Sequence, residues 1–329
     1  MIRFLVTGDL HLKGANPRNR VGSYKQAAID KLREVFEMAK AYGCEAIIQP
    51  GDVWDSPEVA NGVLLEYMAV MKESPCPIIA CSGNHDVYGY NLESLERASL
   101  HILELLVPKL SVNKGMGYRV TDKPYVDITM QPYEGKVDVD GWGYAYEWPE
   151  NKRQTDYSDI THIHVVHGML LDHKPPFDKF TLLEDVKTNA DIVITGHDHT
   201  GYGIYRRADG VTFINPGALL RSAASISEIE RPIQVALIEI RGKGDYDVNL
   251  HNIMCARPGN EVLDRSKIEA DQKRAYAMES FAALIQSDAG EKVLIDINSI
   301  VEQVAASEKY EPAVVANALE RIAAERANL

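Results

Sequence analysis

Five short polar peptides interrupt the apolar runs of this 329-residue chain, and their side chains are of the kinds that hold divalent cations. They are Gly8-Asp9-Leu10-His11, Gly51-Asp52-Val53-Trp54-Asp55, Gly83-Asn84-His85-Asp86, His167-Gly168 and Gly196-His197-Asp198-His199. Each follows a run that reads as a buried strand: Ile2–Val6, Glu45–Gln49, Pro77–Cys81, Ile160–Val166 and Asp191–Ile194. A buried strand needs neither an amide nor an imidazole at its end. Asp9, His11, Asp52, Asn84, His167, His197 and His199 together offer carboxylate, amide and imidazole donors. That mixture suits Mn2+, Fe2+ or Zn2+ and lacks the all-oxygen character of a calcium or structural magnesium site. In Asp9-x-His11 and His197-x-His199 the donors converge only if the backbone bends out of the strand, which the flanking Gly8 and Gly196 would permit. A lone Asp-x-His is mostly accidental, but five such peptides at five strand ends point to a dinuclear metal site.

The elements that must carry these peptides are legible between them. Ser23 with Gln26 three residues on is a capping-box pattern. Ala28, Leu32, Val35, Phe36 and Ala39 follow at helical spacing, so a helix is expected over 24–41 and stopped by Gly43. Pro57 suits the first turn of a second helix, to about Lys72, and 91–106 reads as a third. Strand–helix alternation of this kind implies parallel pairing with helical crossovers, and sites in such sheets collect past the strands' carboxyl ends. From Lys109 to Val139 the runs shorten, suggesting a second, more antiparallel sheet, and two hairpins are expected over 203–214 and 233–253. Trp142, Tyr144, Tyr146 and Trp148 alternate, as a β-edge with one aromatic face or as a stacking platform for bases. Past Pro258-Gly259 helical patterns dominate, apart from a strand-like Val293–Ile297, and Pro312 opens the clearest of them. The expected division is a domain over 1–260 and a small, mainly helical region over 261–329, packing on the body or on a partner.

The ordered peptides resemble the calcineurin-like metallophosphoesterase family over about Ile2 to Gly217. The resemblance implies an α/β fold, a four-layer αββα sandwich of two mixed sheets. It also implies one cation on Asp9, His11, Asp52 and His199 and a second on Asp52, Asn84, His167 and His197, with Asp52 shared. In the same terms His85 is similar to the residue that protonates the leaving oxygen, and Asp55 to the carboxylate that orients it. Two cations about 3.5–4 Å apart lower the pKa of a bridging water and stabilise charge on the attacking and leaving oxygens. An imidazole beside them serves as general acid near neutral pH.

Gly-Asp-Leu-His-Leu-Lys, Gly-Asp-Val-Trp-Asp and the run from Gly-Asn-His-Asp to Asn91-Leu92-Glu93-Ser94-Leu95 are most similar to SbcD-type DNA repair exonucleases. That resemblance implies DNA as substrate, Mn2+ as the first choice of metal with Fe2+, Zn2+ or Mg2+ as alternatives, and an SMC-like ATPase (SbcC type) as partner. A homodimer is the alternative assembly. The net charge of −13 opposes a broad grip on DNA, so a basic partner or a local patch is needed. Arg18, Arg20 and Arg221 are the candidate substrate-binding residues, Arg18 and Arg20 grouped with Lys13 and Lys25 near the site, and Arg221 with Arg206 and Arg207 opposite. Two rival functions stay open: a phosphodiesterase or phosphatase acting on a small nucleotide or other phosphoester, and a non-catalytic scaffold on the same fold.

The remaining features are bland. With 45% apolar and 25% charged residues the composition is that of a soluble protein, and no run approaches a membrane span. Cys44, Cys76, Cys81 and Cys255 form no Cys-x-x-Cys pair, so reduced buried thiols in a cytoplasmic protein are expected. His162 and His164 share a strand face opposite to His167 and are expected in the core or at an edge. His101, His173 and His251 are expected to be structural or solvated.

Overall fold

The computed structural model describes residues 1–145 and 159–266, isolated positions between 268 and 310, and 312–327. The chain divides into two compact units, Met1–Arg265 and Ser266–Leu329. Two six-stranded mixed sheets stack in the first unit. In one, β1 (Ile2–Val6), β2 (Ala46–Gln49), β3 (Ile78–Ala80) and β4 (Leu110–Val112) run parallel, and β13 (Gln234–Gly242) and β14 (Asp245–Asn252) continue it antiparallel beyond β1. In the other, β6 (Tyr125–Gln131), β7 (Ile160–Val166), β10 (Ile192–Thr195) and β12 (Thr212–Asn215) run parallel. Its antiparallel edges are β5 (Gly115–Val120) and β11 (Gly203–Arg206).

Alternation along the strands builds the layers. Leu5 faces helices, whereas Phe4 and Val6 face the opposite sheet, and Ile163 and Val165 answer them from β7. Each large apolar side chain fully buried there contributes roughly 1.5–3 kcal/mol. On the outer face of the first sheet lie α1 (Tyr24–Tyr42), α2 (Asn61–Met71) and α3 (Ser99–Leu106). On the outer face of the second, Val166, Val193 and Phe213 are covered by Val137, Tyr144, Leu170, Leu183 and Val186. Among the described residues this cover consists of loops, the short strands β8 (Leu170–Leu171) and β9 (Thr181–Leu182), and a single 3-10 turn, Leu183–Asp185.

α1 starts where its cap predicts: the Gln26 backbone N–H donates to Ser23 Oγ at 3.1 Å. The Gln26 amide turns to Asp30 instead of reaching back, so only half of the capping box forms. Gly43 ends the helix at φ 63°.

Three expectations need correction. The second helix begins at Asn61 and not at Pro57. The Pro57 carbonyl accepts from Ser99 N at 2.8 Å, and Ser99 Oγ accepts from Val59 N at 2.9 Å, so those peptides are tied to the start of α3. For the same reason 91–106 is not one helix. A 3-10 segment, Leu92–Arg97, and α3 are separated by Ala98 in extended conformation, which turns Ser99 toward 57–59. The second sheet is no more antiparallel than the first, because β4 joins the first sheet and β6, β7, β10 and β12 pair in parallel.

The aromatic row is not a strand where it is described. Gly141–Tyr144 is a turn in which Trp142 is exposed, while Tyr144 is buried and its hydroxyl donates to Asp138 Oδ1 at 2.6 Å. Tyr146 and Trp148 lie outside the described residues, as does Val293–Ile297. In the second unit a helix runs over Pro312–Ala327, with the proline at its first position. No described helix is long and apolar enough to cross a membrane.

Candidate metal centre

The carboxyl ends of β1, β2 and β3 in one sheet and of β7 and β10 in the other open onto one place. Asp9, His11, Asp52 and His199 bring ligand atoms within 4.8 Å of one another, and so do Asp52, His167 and His197. Asn84 joins the second group, its Oδ1 lying 3.0 Å from His167 Nε2. All seven expected ligands therefore converge from sequence positions 190 residues apart, with Asp52 common to both groups.

The backbone bends that allow this are made by the ligands themselves. His11, Asp52 and His197 take positive φ, 44°, 52° and 75°, a region that side chains with a Cβ enter at a cost. Gly8 and Gly196 were expected to supply the bend; instead they permit close approach. A Cβ on Gly8 would lie 1.9 Å from the Gly217 carbonyl oxygen, and one on Gly196 would lie 2.4 Å from Asp9 Oδ1. The strain is held by cross-links between the loops. Leu10 N and His11 N both donate to the Asp52 carbonyl (3.0 and 2.9 Å), Leu219 N to the Asp9 carbonyl (2.8 Å), and His197 N to Asp9 Oδ2 (2.9 Å).

The donor chemistry fits cations. Asp52 Oδ1 is taken by the His85 N–H at 2.8 Å, but its Oδ2 is buried without a hydrogen-bond partner. That oxygen faces His11 Nε2 at 3.5 Å and His167 Nε2 at 3.3 Å. His167 Nδ1 donates to the Pro50 carbonyl at 2.9 Å, which leaves Nε2 with its lone pair toward Asp52 and Asn84. His11 Nε2 and His199 Nε2 stand 2.8 Å apart. Acceptors pointed at acceptors are costly in a buried site unless positive charge lies between them.

Without cations the histidines supply that charge. Burial favours neutral His167, but Asp52 and Asp9 outweigh it and hold the imidazolium up to about 9. Burial likewise raises the Asp52 carboxyl, yet His167, His11 and His85 more than reverse this and keep it below the ordinary carboxylate range. Asp9, buried and beside Asp52, is pushed up to about 6 despite its histidine neighbours. Burial drives His197 and His199 down to about 3, with His167 and His11 respectively adding to it, so both rings are neutral donors.

His85 is solvent-accessible at the rim. Its Nδ1 donates to the Asp55 backbone carbonyl at 2.9 Å, fixing the tautomer and leaving Nε2 to exchange a proton. The role expected of Asp55 is therefore corrected: its carbonyl, not its carboxylate, holds His85. The carboxylate lies 3.5 Å from His11 Nδ1 and accepts from Lys13 Nζ at 2.9 Å. Although burial acts against it, those two partners draw the Asp55 carboxyl down to about 2.

Arg221 is also corrected. It is buried and donates to the backbone carbonyls of Glu228, Arg257 and Arg231 at 2.6, 3.3 and 2.8 Å, so it is not available to substrate. Arg20 shares a cavity with it whose lining includes none of the ligands, and Arg18 is exposed on the loop before Arg20. Lys13, Lys25 and Arg207 are paired with Asp55, Glu66 and Asp209. His162 and His164 are buried around Thr129 as expected, with burial pressing His164 down to about 4. Cys44, Cys76 and Cys81 are buried, but Cys255 is exposed.

Sequence reasoning passed over several residues here. Asp86 is fully buried and accepts from Val53 N, Trp54 N and Gly83 N at 3.2, 2.9 and 2.9 Å, clamping the loop of Asp52 to that of Asn84. Its place as the last letter of Gly-Asn-His-Asp was the available signal. Tyr133 lies 5.6 Å from the His197 ring and 5.8 Å from exposed Tyr90, and its hydroxyl accepts from Lys179 Nζ at 2.9 Å. No motif marked those three. Gly83 is as critical, since a Cβ there would sit 2.1 Å from Asp52 Oδ1. Gly83→Ala is expected to shift that carboxylate and weaken metal binding by roughly 10- to 100-fold, as read by metal titration of the folded protein.

Residues 2–201 match the family described as calcineurin-like phosphoesterase. No curated protein matches the chain. Similar solved structures include TT1561 of Thermus thermophilus, 12% identical, covering 77% of this chain and 99% of that one, with a TM-score of 0.43. Another, described as a novel archaeal phosphodiesterase, is 16% identical, covers 76% of this chain and 100% of that one, and has a TM-score of 0.36. The family match takes in more than half of the 329 residues, and the chain belongs to the calcineurin-like phosphoesterases.

Proposed function

We propose that this chain is a DNA nuclease of the SbcD type, hydrolysing phosphodiester bonds at a pair of divalent cations, Mn2+ for preference, with His85 as the proton donor. The observation that carries the hydrolytic reading is Asp52 Oδ2, buried without a hydrogen-bond partner, faced by two imidazoles, on a residue common to both ligand groups. Cations held by Asp9, His11, Asp52 and His199 on one side and Asp52, Asn84, His167 and His197 on the other would supply Lewis-acid activation and charge stabilisation. The chain's own groups do the rest. His85, with Nδ1 fixed on the Asp55 carbonyl, presents Nε2 to the leaving oxygen and delivers its proton there. Asp86 and the Leu10 and His11 N–H groups hold the loops that aim it.

Support for a nucleic-acid substrate comes from the motif resemblance and from the Tyr90–Tyr133 pair beside the centre, where a terminal base can stack while Lys179 meets a phosphate. With a net charge of −13, the chain's grip on DNA would fall to an SMC-like ATPase partner. One observation favours a second reading, a phosphodiesterase of small nucleotides: Lys13, Lys25 and Arg207 are already paired, and Arg221 is buried.

Manganese-dependent cleavage of end-labelled linear DNA, with and without the ATPase, decides between them when run beside bis-p-nitrophenyl phosphate and cyclic nucleotides. DNA cleavage is the expected result. Turnover of the small diesters alone would establish the second reading, and turnover of nothing by metal-loaded protein would end both.

A further inference from the structure

Away from the metal centre, a cavity of about 220 Å³ opens between the start of α1 and the segment 255–262. Four cationic residues line it: Arg20, Lys31, Arg221 and Arg257. In a chain of net charge −13 this concentration of positive charge is unusual enough to need a cause.

Three of the four, Arg20, Lys31 and Arg221, form no ion pair with a carboxylate among the described residues. Lys31 and Arg221 are only 4% and 5% exposed. Lys31 Nζ donates to the Leu219 carbonyl at 2.7 Å, and the Arg221 guanidinium meets three backbone carbonyls, which are dipoles and carry no net charge. Arg20 Nε is buried without any hydrogen-bond partner. Of the nearby carboxylates, Glu261 alone is ion-paired to a cation of the cavity, the exposed Arg257. Glu228 is held by Arg231 at 3.0 and 3.1 Å, Glu34 accepts from Met254 N and Cys255 N, and Glu261 pairs with Arg257 on the surface. Asp30, the one acid in the lining, accepts from Gln26 at 2.8 Å.

The groups register one another. Burial, then Arg221 and Arg231, press the Lys31 ammonium down to about 7. Burial, then Arg231, press Arg221 down to about 10, and burial with Arg257 nearby lowers Arg20. Buried cations that repel each other across an open cavity are a net cost, and an anion within hydrogen-bonding reach removes it.

We infer that this cavity binds a phosphate-class oxyanion, orthophosphate or pyrophosphate, at a site separate from the metal centre. Guanidinium groups match tetrahedral oxyanions in charge and in donor geometry, and the Ser23 and Gln26 side chains add polar atoms at the rim. The volume suits such an ion and falls short of the roughly 300 Å³ at which pockets for whole nucleotide-sized ligands begin. The site also touches the centre's scaffold. Leu219 receives Lys31 on its carbonyl and donates its N–H to the Asp9 carbonyl, and Arg20 lies 5.8 Å over the Tyr24 ring, whose hydroxyl donates to the His11 carbonyl.

Calorimetric titration of the full chain with inorganic phosphate tests this, at ionic strength held constant with sodium chloride, before and after the metals are chelated. Pyrophosphate is titrated into the chelated protein. Binding is expected to survive chelation, to be at least tenfold weaker in the Arg20→Gln/Arg257→Gln double variant, and to be kept by Arg20→Lys. Asn84→Ala, which touches only the metal centre, should bind phosphate at the cavity as the parent does. Lys31→Met serves as a second probe: it should bind phosphate at least tenfold more weakly than the parent, with circular dichroism as the check on folding, because it removes a charged donor from the cavity wall. Three results would overturn the inference: binding that disappears with the metals, a double variant as tight as the parent, or a folded Lys31→Met protein that binds phosphate as tightly as the parent.

Discussion

Asp52→Ala is expected to empty both cation positions at once, and phosphoesterase activity should fall to that of chelator-stripped protein. The reason is geometric. Asp52 belongs to both ligand groups, so its loss leaves Asp9, His11 and His199 on one side and Asn84, His167 and His197 on the other without a shared negative charge. The three histidines facing Asp52 would then add to the repulsion that any incoming cation meets. Asp52→Asn separates charge from shape. Its amide oxygen can still accept from the His85 N–H, which now meets Asp52 Oδ1 at 2.8 Å, so the loop should stay in place while the metals are lost. Metal content by elemental analysis, with circular dichroism as the check on folding, reads both variants. A folded Asp52→Asn protein that kept two metals per chain would refute the shared-ligand assignment.

The second large effect is kinetic. His85→Ala should lower kcat by roughly 10²–10⁴, the usual yield of general acid–base catalysis, while metal content and substrate KM stay close to the parent's. The split follows from where the residue stands. His85 is solvent-accessible, its ring centroid is 4.8 Å from that of His11, and its Nδ1 is engaged by a backbone carbonyl that no substitution at Asp55 removes. Asp55→Asn should accordingly spare the orientation of His85. It would act through His11 and Lys13, the groups its carboxylate meets, and so should weaken metal binding more than it slows the proton transfer. Full activity in His85→Ala would remove it as proton donor. An Asp55→Asn variant that copied the His85→Ala kinetics with its metals intact would restore the carboxylate as the orienting group.

What was legible beforehand and what was not divide along a physical line. Strand and helix patterns are local: apolar spacing made α1, and Ser23 and Gly43 bounded it, because caps and periodicity act within a few residues. The candidate metal ligands were legible for a related reason. Amide and imidazole side chains at the ends of buried strands have no structural use there, so their types marked them as candidate ligands, and the fold brings them together. Where an element's fate depended on a distant partner, local reading failed. The start of α2 was moved by Ser99, forty residues away, and Tyr144 was taken out of an apparent aromatic face by Asp138 and the cover of the second sheet.

The sequence by itself determined the donor set, the family and the order of the elements, since these depend on residue type and on spacing along the chain. Only the tertiary structure decided that Asp55 serves His85 through its backbone, that Arg221 faces inward, and that Lys31 and Arg20 meet it around one cavity. Each of those is a contact between residues far apart in the chain, and a side chain's charge is the same on paper whether the fold leaves it in water or surrounds it with other cations.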